Sequence, residues 1–270
     1  MALTPFQRDV CRLLADRRRS SGESYIAGGV ALTAALDAQR VSRDLLDTFH
    51  DTVEAVSASW DADRRLLEAA AYQVRAQRER PGFVEAEVAR DGATLTVEWA
   101  RDSAFRFFPL VEHEEFGLVL HAFDLATNKL LALIGRTEAR DWIDVIACHR
   151  ALQPLGYLAW AACGKDPGFT PAGILAHAGR TSRYSQVEID ALAFAGEAPS
   201  AAALSRSWHE ALDEARAIVT RLPGERAGMA VLGAGAALYK GEPATLDDAL
   251  AAGALRFHEG RIRGAWPTVR

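Results

Sequence analysis

Apolar residues at Phe6, Val10, Leu13 and Leu14 recur at the spacing of one helical face, so the chain is predicted to open with an amphipathic helix. Thr4 before Pro5 supplies its cap and a proline at the first helical position, and Arg17, Arg18 and Arg19 end it where the helix dipole favours cations. Ser24-Tyr25-Ile26-Ala27, then Gly28-Gly29, then Val30 to Leu36 read as strand, tight turn and helix. A second short strand is expected over Asp44 to Phe49, and a helix over Thr52 to Ala71. The apolar positions then change to period two. Phe83 to Val88 and Ala93 to Ala100 alternate as strands do, and Asp91-Gly92 between them is a strong hairpin signal.

A further strand is expected at Gly117 to His121, followed by helices over Asp124 to Ile134 and Glu138 to Leu152. Pro154-Leu155-Gly156 interrupts the pattern, and the segment from there to Tyr239 is mainly helical by composition. A small hairpin around Glu259-Gly260 is expected near the end. Together these predict an α/β (α+β) protein: a mixed sheet with flanking helices over residues 1–153, and a mainly helical C-terminal domain over 154–270.

Composition narrows the functional classes. Of the 270 residues, 49% are hydrophobic and 25% charged, an ordinary globular balance that leaves material for two modest cores. The net charge of -5 argues against a surface built throughout for nucleic acid, and no DNA partner is expected. A local basic cluster of Arg40, Arg43, Arg136 and Arg140 remains the expected place for a polyanion. Cys11, Cys148 and Cys163 stand singly, which points away from a disulfide framework or a zinc site. The longest apolar run, Ala227 to Tyr239, has 13 residues, where a spanning helix needs roughly 20. With no basic and apolar leader at the start, the expectation is a cytoplasmic protein with no membrane partner.

Three groups carry candidate chemistry. Gly28 and Gly29, between strand and helix, would let backbone N–H groups approach a phosphate at a helix N-terminus, or would form only a tight turn. Asp44, Asp47 and Asp51 place three carboxylates within eight positions, suitable for a divalent cation or for a solvated loop. Lys129, Arg136 and Arg140, at spacings of 7 and 4, present cations for a triphosphate or an ion-paired surface helix. Glu98, in the alternating run Thr94 to Trp99, faces away from Val97 and Trp99. It is a further metal-side carboxylate or an exposed strand residue.

The order of these groups is more specific than any one of them. Tyr-Ile-Ala-Gly28-Gly29-Val-Ala-Leu, then Arg40-Val-Ser-Arg-Asp44 with Asp47, then Asn128-Lys129-Leu-Leu-Ala-Leu with Arg136, Arg140, Asp141 and Asp144, resembles the AbiEii/AbiGii-type toxin nucleotidyltransferases over roughly residues 24–150. That resemblance implies a polymerase-β-like nucleotidyltransferase fold, an NTP substrate, Mg²⁺ or Mn²⁺ as cofactor, an acceptor such as tRNA, and a cognate antitoxin. By residue it implies phosphate contact for Gly28 and Gly29, metal binding by Asp44 and Asp47, and triphosphate contact by Lys129. For Arg136 it implies a place at the nucleotide, and for Arg140, Asp141 and Asp144 a functional or organising role. One departure stands out. The family's acidic motif is Asp-x-Asp, whereas here it reads Asp44-Leu45-Leu46-Asp47, so both carboxylates share a face only if a bulge or turn absorbs the extra residue. A nucleotidyltransferase-fold binding or regulatory protein with weakened catalysis is therefore the alternative, and transfer to a small molecule such as an aminoglycoside is a third reading.

Overall fold

The computed structural model describes residues 3–36, 40, 45–181 and 184–268, with the side chains of residues 45 and 181 left aside. The described chain divides into two compact units, residues 1–104 with 110–121, and residues 105–109 with 122–270.

The first unit begins with α1 (Pro5–Ser21), whose cap is reciprocal: the Thr4 hydroxyl accepts from Gln7 N–H and the Gln7 side chain accepts from Thr4 N–H. There follow β1 (Ser24–Ile26), α2 (Gly28–Leu36), β2 (Leu45–His50), α3 (Val53–Ala69), β3 (Gln73–Arg80), β4 (Phe83–Arg90) and β5 (Ala93–Arg101). The chain then contributes β6 (Phe105–Arg106) to the second unit and returns with β7 (Val111–His113) and β8 (Gly117–Val119). Among the described residues seven strands form one mixed sheet in the order β3-β4-β5-β2-β1-β8-β7, with β2 parallel to β5 and antiparallel to β1. Asp91 and Gly92 both take positive φ, 53° and 80°, so the β4–β5 turn has the twist that a two-residue hairpin needs.

Helices α1 and α3 cover one face of this sheet. Trp60 of α3 meets Trp99 of β5 edge to face at 4.8 Å, over a core that includes Leu14, Leu46, Leu67, Val84 and Val97. Polar groups are buried in this layer too. Asp63 accepts from Trp99 Nε1 at 2.8 Å and pairs with Arg17, while the buried Arg18 guanidinium donates to the carbonyl of Phe116 at 3.2 Å.

His50, on the same face of β2, is fully buried. Its Nδ1 faces the Ala100 carbonyl at 3.4 Å and so carries the proton, leaving Nε2 without a partner. Burial pushes its pKa down to about 4, with Arg17 and Arg18 adding to the effect and the Ala100 carbonyl and Asp63 opposing it. The unfolded chain takes up this proton near pH 6.5 and the folded chain only near 4. Stability is therefore whole above 6.5 and falls as pH drops through that window, by about 3 kcal/mol in all. Denaturant titrations between pH 6.5 and 5 are expected to show a steeper loss for the native chain than for His50→Gln. Equal slopes would contradict this account.

The second unit is mainly helical: α4 (Ala122–Arg136), α5 (Ala139–Ala151), α6 (Leu155–Ala162), α7 (Pro171–Ala178), α8 (Gln186–Asp190) and α9 (Ala201–Arg221). It adds β9 (Met229–Leu232), α10 (Pro243–Ala251), β10 (Arg256–Glu259) and β11 (Arg261–Ile262). α6 is buried on all sides, as its uniformly apolar sequence requires, and α9 turns Leu204, Trp208, Leu212 and Ile218 inward. Tyr157, Trp160, Ile218, Leu222, Val231 and Leu246 join these elements in one cluster.

Two expectations are corrected here. The division falls before α4 rather than at residue 153, because α4 and α5 bury their apolar faces against α6 and the helices that follow. No hairpin forms at Glu259-Gly260. β10 pairs instead with β9, inside the apolar run read as helical, and β11 pairs with β6.

Candidate functional site

The strand–turn–helix read at Gly28-Gly29 is present: β1 ends at Ile26 and α2 begins at Gly28. Gly28 has φ +71°, and a Cβ there would collide with the Asp47 carboxylate. The glycine thus does two things. It permits the left-handed turn, and it leaves room for a carboxylate directly beside the helix start, where first-turn N–H groups have no partners within the helix.

Asp47 reaches this place because of the strand's alternation. Leu46 and Thr48 are buried toward α1 and α3, so Asp47, half-buried, lies on the other face. Cross-strand register then sets a row of charged groups on that face. Asp47 is paired with Glu98 of β5, Glu98 with Glu85 of β4, and Glu85 with Arg78 of β3. Arg78 grips Glu85 with both arms of its guanidinium, Nε to Oε1 at 3.1 Å and Nη2 to Oε2. Burial, and then the neighbouring Asp47 and Glu85 carboxylates, hold the Glu98 carboxyl above the usual glutamate range.

Asp44 and Arg43 lie outside the described residues. The extra residue in the acidic motif nevertheless has a structural reading. Position 46, two after Asp44, is a core leucine, so the carboxylate that adjoins the glycine turn is the one at 47. Among the described residues, no three His, Cys, Asp or Glu side chains are grouped to hold a metal ion. Asp47 and Glu98 supply two carboxylates. The chemistry of that pair fits a hard divalent cation, because Mg²⁺ takes one or two protein carboxylates and fills its octahedron with water and phosphate. A cation would also relieve the like-charge crowding that Glu98 displays.

The third sequence group lies in the second unit and has a different setting. Lys129 on α4 is buried, with its ammonium 3.0 Å from both the Asp141 and the Asp144 carboxylates of α5. Arg136 also donates to Asp141, at 2.6 and 3.0 Å, and Arg140 pairs with Glu138. Burial opposes ionisation of Asp141, but hydrogen bonds from Arg136 and Lys129 outweigh it and hold the carboxyl below the usual range. Lys129 is therefore enclosed by two carboxylates, a setting that cancels the potential a triphosphate would be drawn to. The expected basic cluster is corrected likewise: Arg40 is buried, and Arg136 and Arg140 are engaged by acidic neighbours.

Sequence reasoning missed Arg78, Glu85, Asp124 and Lys165. Asp124 is a buried carboxylate that accepts the N–H groups of Phe107 and Phe108 at 2.9 and 3.0 Å and pairs with Lys165 at 2.8 Å, which fixes the inserted segment 105–109 to α4. No pattern of apolar positions announces such a group. Glu85 was within reach: a two-residue turn at Asp91-Gly92 pairs Arg90 with Ala93, and counting back along both strands sets Glu85 opposite Glu98. Among the described residues, no helix is long and apolar enough to cross a membrane.

No protein-family model matches the chain, and a search of curated proteins returns no match. Solved structures do resemble it. One is an H. pylori protein assigned as a nucleotidyltransferase, 17% identical, with a TM-score of 0.50 over 80% of this chain and 92% of that one. Another is MenT4, a nucleotidyltransferase toxin from Mycobacterium tuberculosis H37Rv, 16% identical, with a TM-score of 0.52 over 82% of this chain and 83% of that one. At these identities the likeness is one of fold.

Proposed function

We propose, proceeding from the nucleotidyltransferase fold that this chain shares with those structures, that it is a metal-dependent nucleotidyltransferase of the AbiEii-like toxin class. The observation that carries the reading is the meeting of Gly28, Asp47 and Glu98 on one face of the first unit's sheet. In this reading Asp47 and Glu98 hold a Mg²⁺ or Mn²⁺ ion, with Asp44 as a further candidate ligand. The N–H groups at Gly28 and Gly29 receive the phosphates of an NTP. The bound cation would offset the charge developing on the reacting phosphoryl group. An acceptor hydroxyl forms a bond to the α-phosphorus, the α–β phosphoanhydride bond breaks, pyrophosphate leaves, and the hydroxyl proton passes to solvent.

Lys129, Asp141 and Asp144 have an organising role in this reading, because the ammonium is already held between two carboxylates. Arg136 and Arg140, each partly exposed, remain candidates for nucleotide contact. The resemblance in motif order and the likeness to a toxin support a tRNA acceptor and a cognate antitoxin. Incubation of the purified chain with labelled NTPs, Mg²⁺ or Mn²⁺ and total tRNA is expected to label the RNA. Absence of both labelled product and NTP binding would remove the enzyme reading.

The core position of Leu46 favours a second reading, NTP binding without turnover, since the residue two after Asp44 offers no carboxylate to the site. Calorimetry showing NTP binding with no metal-dependent product would favour it.

A further inference from the structure

The charged row on the open face of the sheet does not end at the two carboxylates assigned to the cation. It continues through Glu85 to Arg78 on the edge strand. The Glu85 and Glu98 carboxyls lie within hydrogen-bonding reach of each other, and Glu85 is gripped from its other side by the Arg78 guanidinium. The Glu85 side chain is only 13% exposed while that of Arg78 is 64% exposed, so a solvent-facing arginine fixes a mostly enclosed glutamate that in turn faces Glu98.

We propose that Arg78 and Glu85 form a positioning pair that fixes the Glu98 carboxyl for divalent cation binding beside Asp47. This rests on the cation site proposed above and adds to it the groups that orient one of its ligands. A glutamate on a strand has three rotatable side-chain bonds, and a cation that demands near-octahedral geometry binds poorly to a ligand whose rotamer wanders. Packing fixes apolar residues, but Glu98 lies on the open face away from the α1 and α3 layer, so its orientation must come from polar neighbours on the sheet. Glu85 alone would repel it. With Arg78 neutralising and steering Glu85, the neighbouring carboxyl becomes a hydrogen-bonding partner instead.

The bridge of arginine and glutamate makes a prediction of unusual sign. By field alone, removal of a positive charge near a cation site strengthens cation binding. If Arg78 acts by positioning, its removal weakens binding, and outer partners of metal ligands typically contribute about 10- to 100-fold in affinity. Mn²⁺ titration of the full chain, followed by electron paramagnetic resonance with and without a non-hydrolysable NTP, reads this directly and needs no turnover. Arg78→Ala is expected to raise the Mn²⁺ Kd about tenfold or more, Arg78→Lys to restore only part of the loss because it lacks the fork, and Glu85→Gln to stay near the native value because it retains a hydrogen-bonding side chain.

Unchanged or tighter Mn²⁺ binding by Arg78→Ala, with the native chain binding normally, would overturn the positioning role alone. Full rescue by Arg78→Lys would also overturn it, by reducing the effect to charge. Failure of the native chain itself to bind Mn²⁺, or binding indifferent to Asp47→Asn, would overturn the cation site and the positioning pair together.

Discussion

Asp47→Asn is expected to abolish nucleotide transfer, lowering the rate about a hundredfold or more, while leaving the folded chain as stable as before or slightly more so. The argument comes from the carboxylate's surroundings. Asp47 is half-buried against the Gly28 turn, and its register partner Glu98 is held protonated to higher pH partly by its charge. Asparagine keeps the volume and removes one of two crowded negative charges, so the fold loses a repulsion and the site loses a ligand. Such opposition between stability and activity is what a functional carboxylate produces and a structural one does not. Labelled-NTP transfer measured beside chemical denaturation separates the two cases. A variant that lost activity only by unfolding, or one that transferred nucleotide normally, would sink the assignment of Asp47.

Much of the first unit was legible because its elements announce themselves locally. Thr4 and Pro5 mark the start of α1, the Gly28-Gly29 turn sits between strand and helix, and Asp91-Gly92 fixes a hairpin whose two strands alternate cleanly. β3 was not legible, since it is an edge strand with nearly every residue exposed, and its Gln, Arg and Glu side chains carry no apolar period. A register irregularity between Ala76 and Arg78 also hides which of its arginines faces Glu85. In the second unit β9 was masked by its own apolar run, because a short buried strand and a buried helix segment look alike in sequence.

The candidate site was legible in residue type and only partly in role. Gly28, Asp47 and Glu98 meet as the spacing suggested, but the altered acidic motif resolves in an unexpected way. Leu46 sits in the core, so deleting it to recreate Asp-x-Asp would shift the strand's register and turn the faces of β2 over. Lys129 was read as a cation for phosphate because sequence shows its charge and not the two carboxylates one helix later that surround it.

That enclosure sets the second large expectation: Lys129→Met costs about 3–5 kcal/mol of folding stability, through the second unit. Removing the ammonium leaves the Asp141 and Asp144 carboxylates together in the interior, with Arg136 still on Asp141. Breaking one side of a buried pair strands its partner, whereas replacing all members by apolar groups of similar size is close to neutral. The double variant Lys129→Met with Asp144→Leu is therefore expected to recover much of the loss. The chain has two units, so unfolding need not be a single transition, and the change should follow the tryptophans of the second unit, Trp142, Trp160 and Trp208, rather than Trp60 and Trp99. The competing role gives the opposite pattern. A lysine serving chiefly as a triphosphate contact would leave stability untouched in Lys129→Met, weaken NTP binding, and gain nothing from Asp144→Leu.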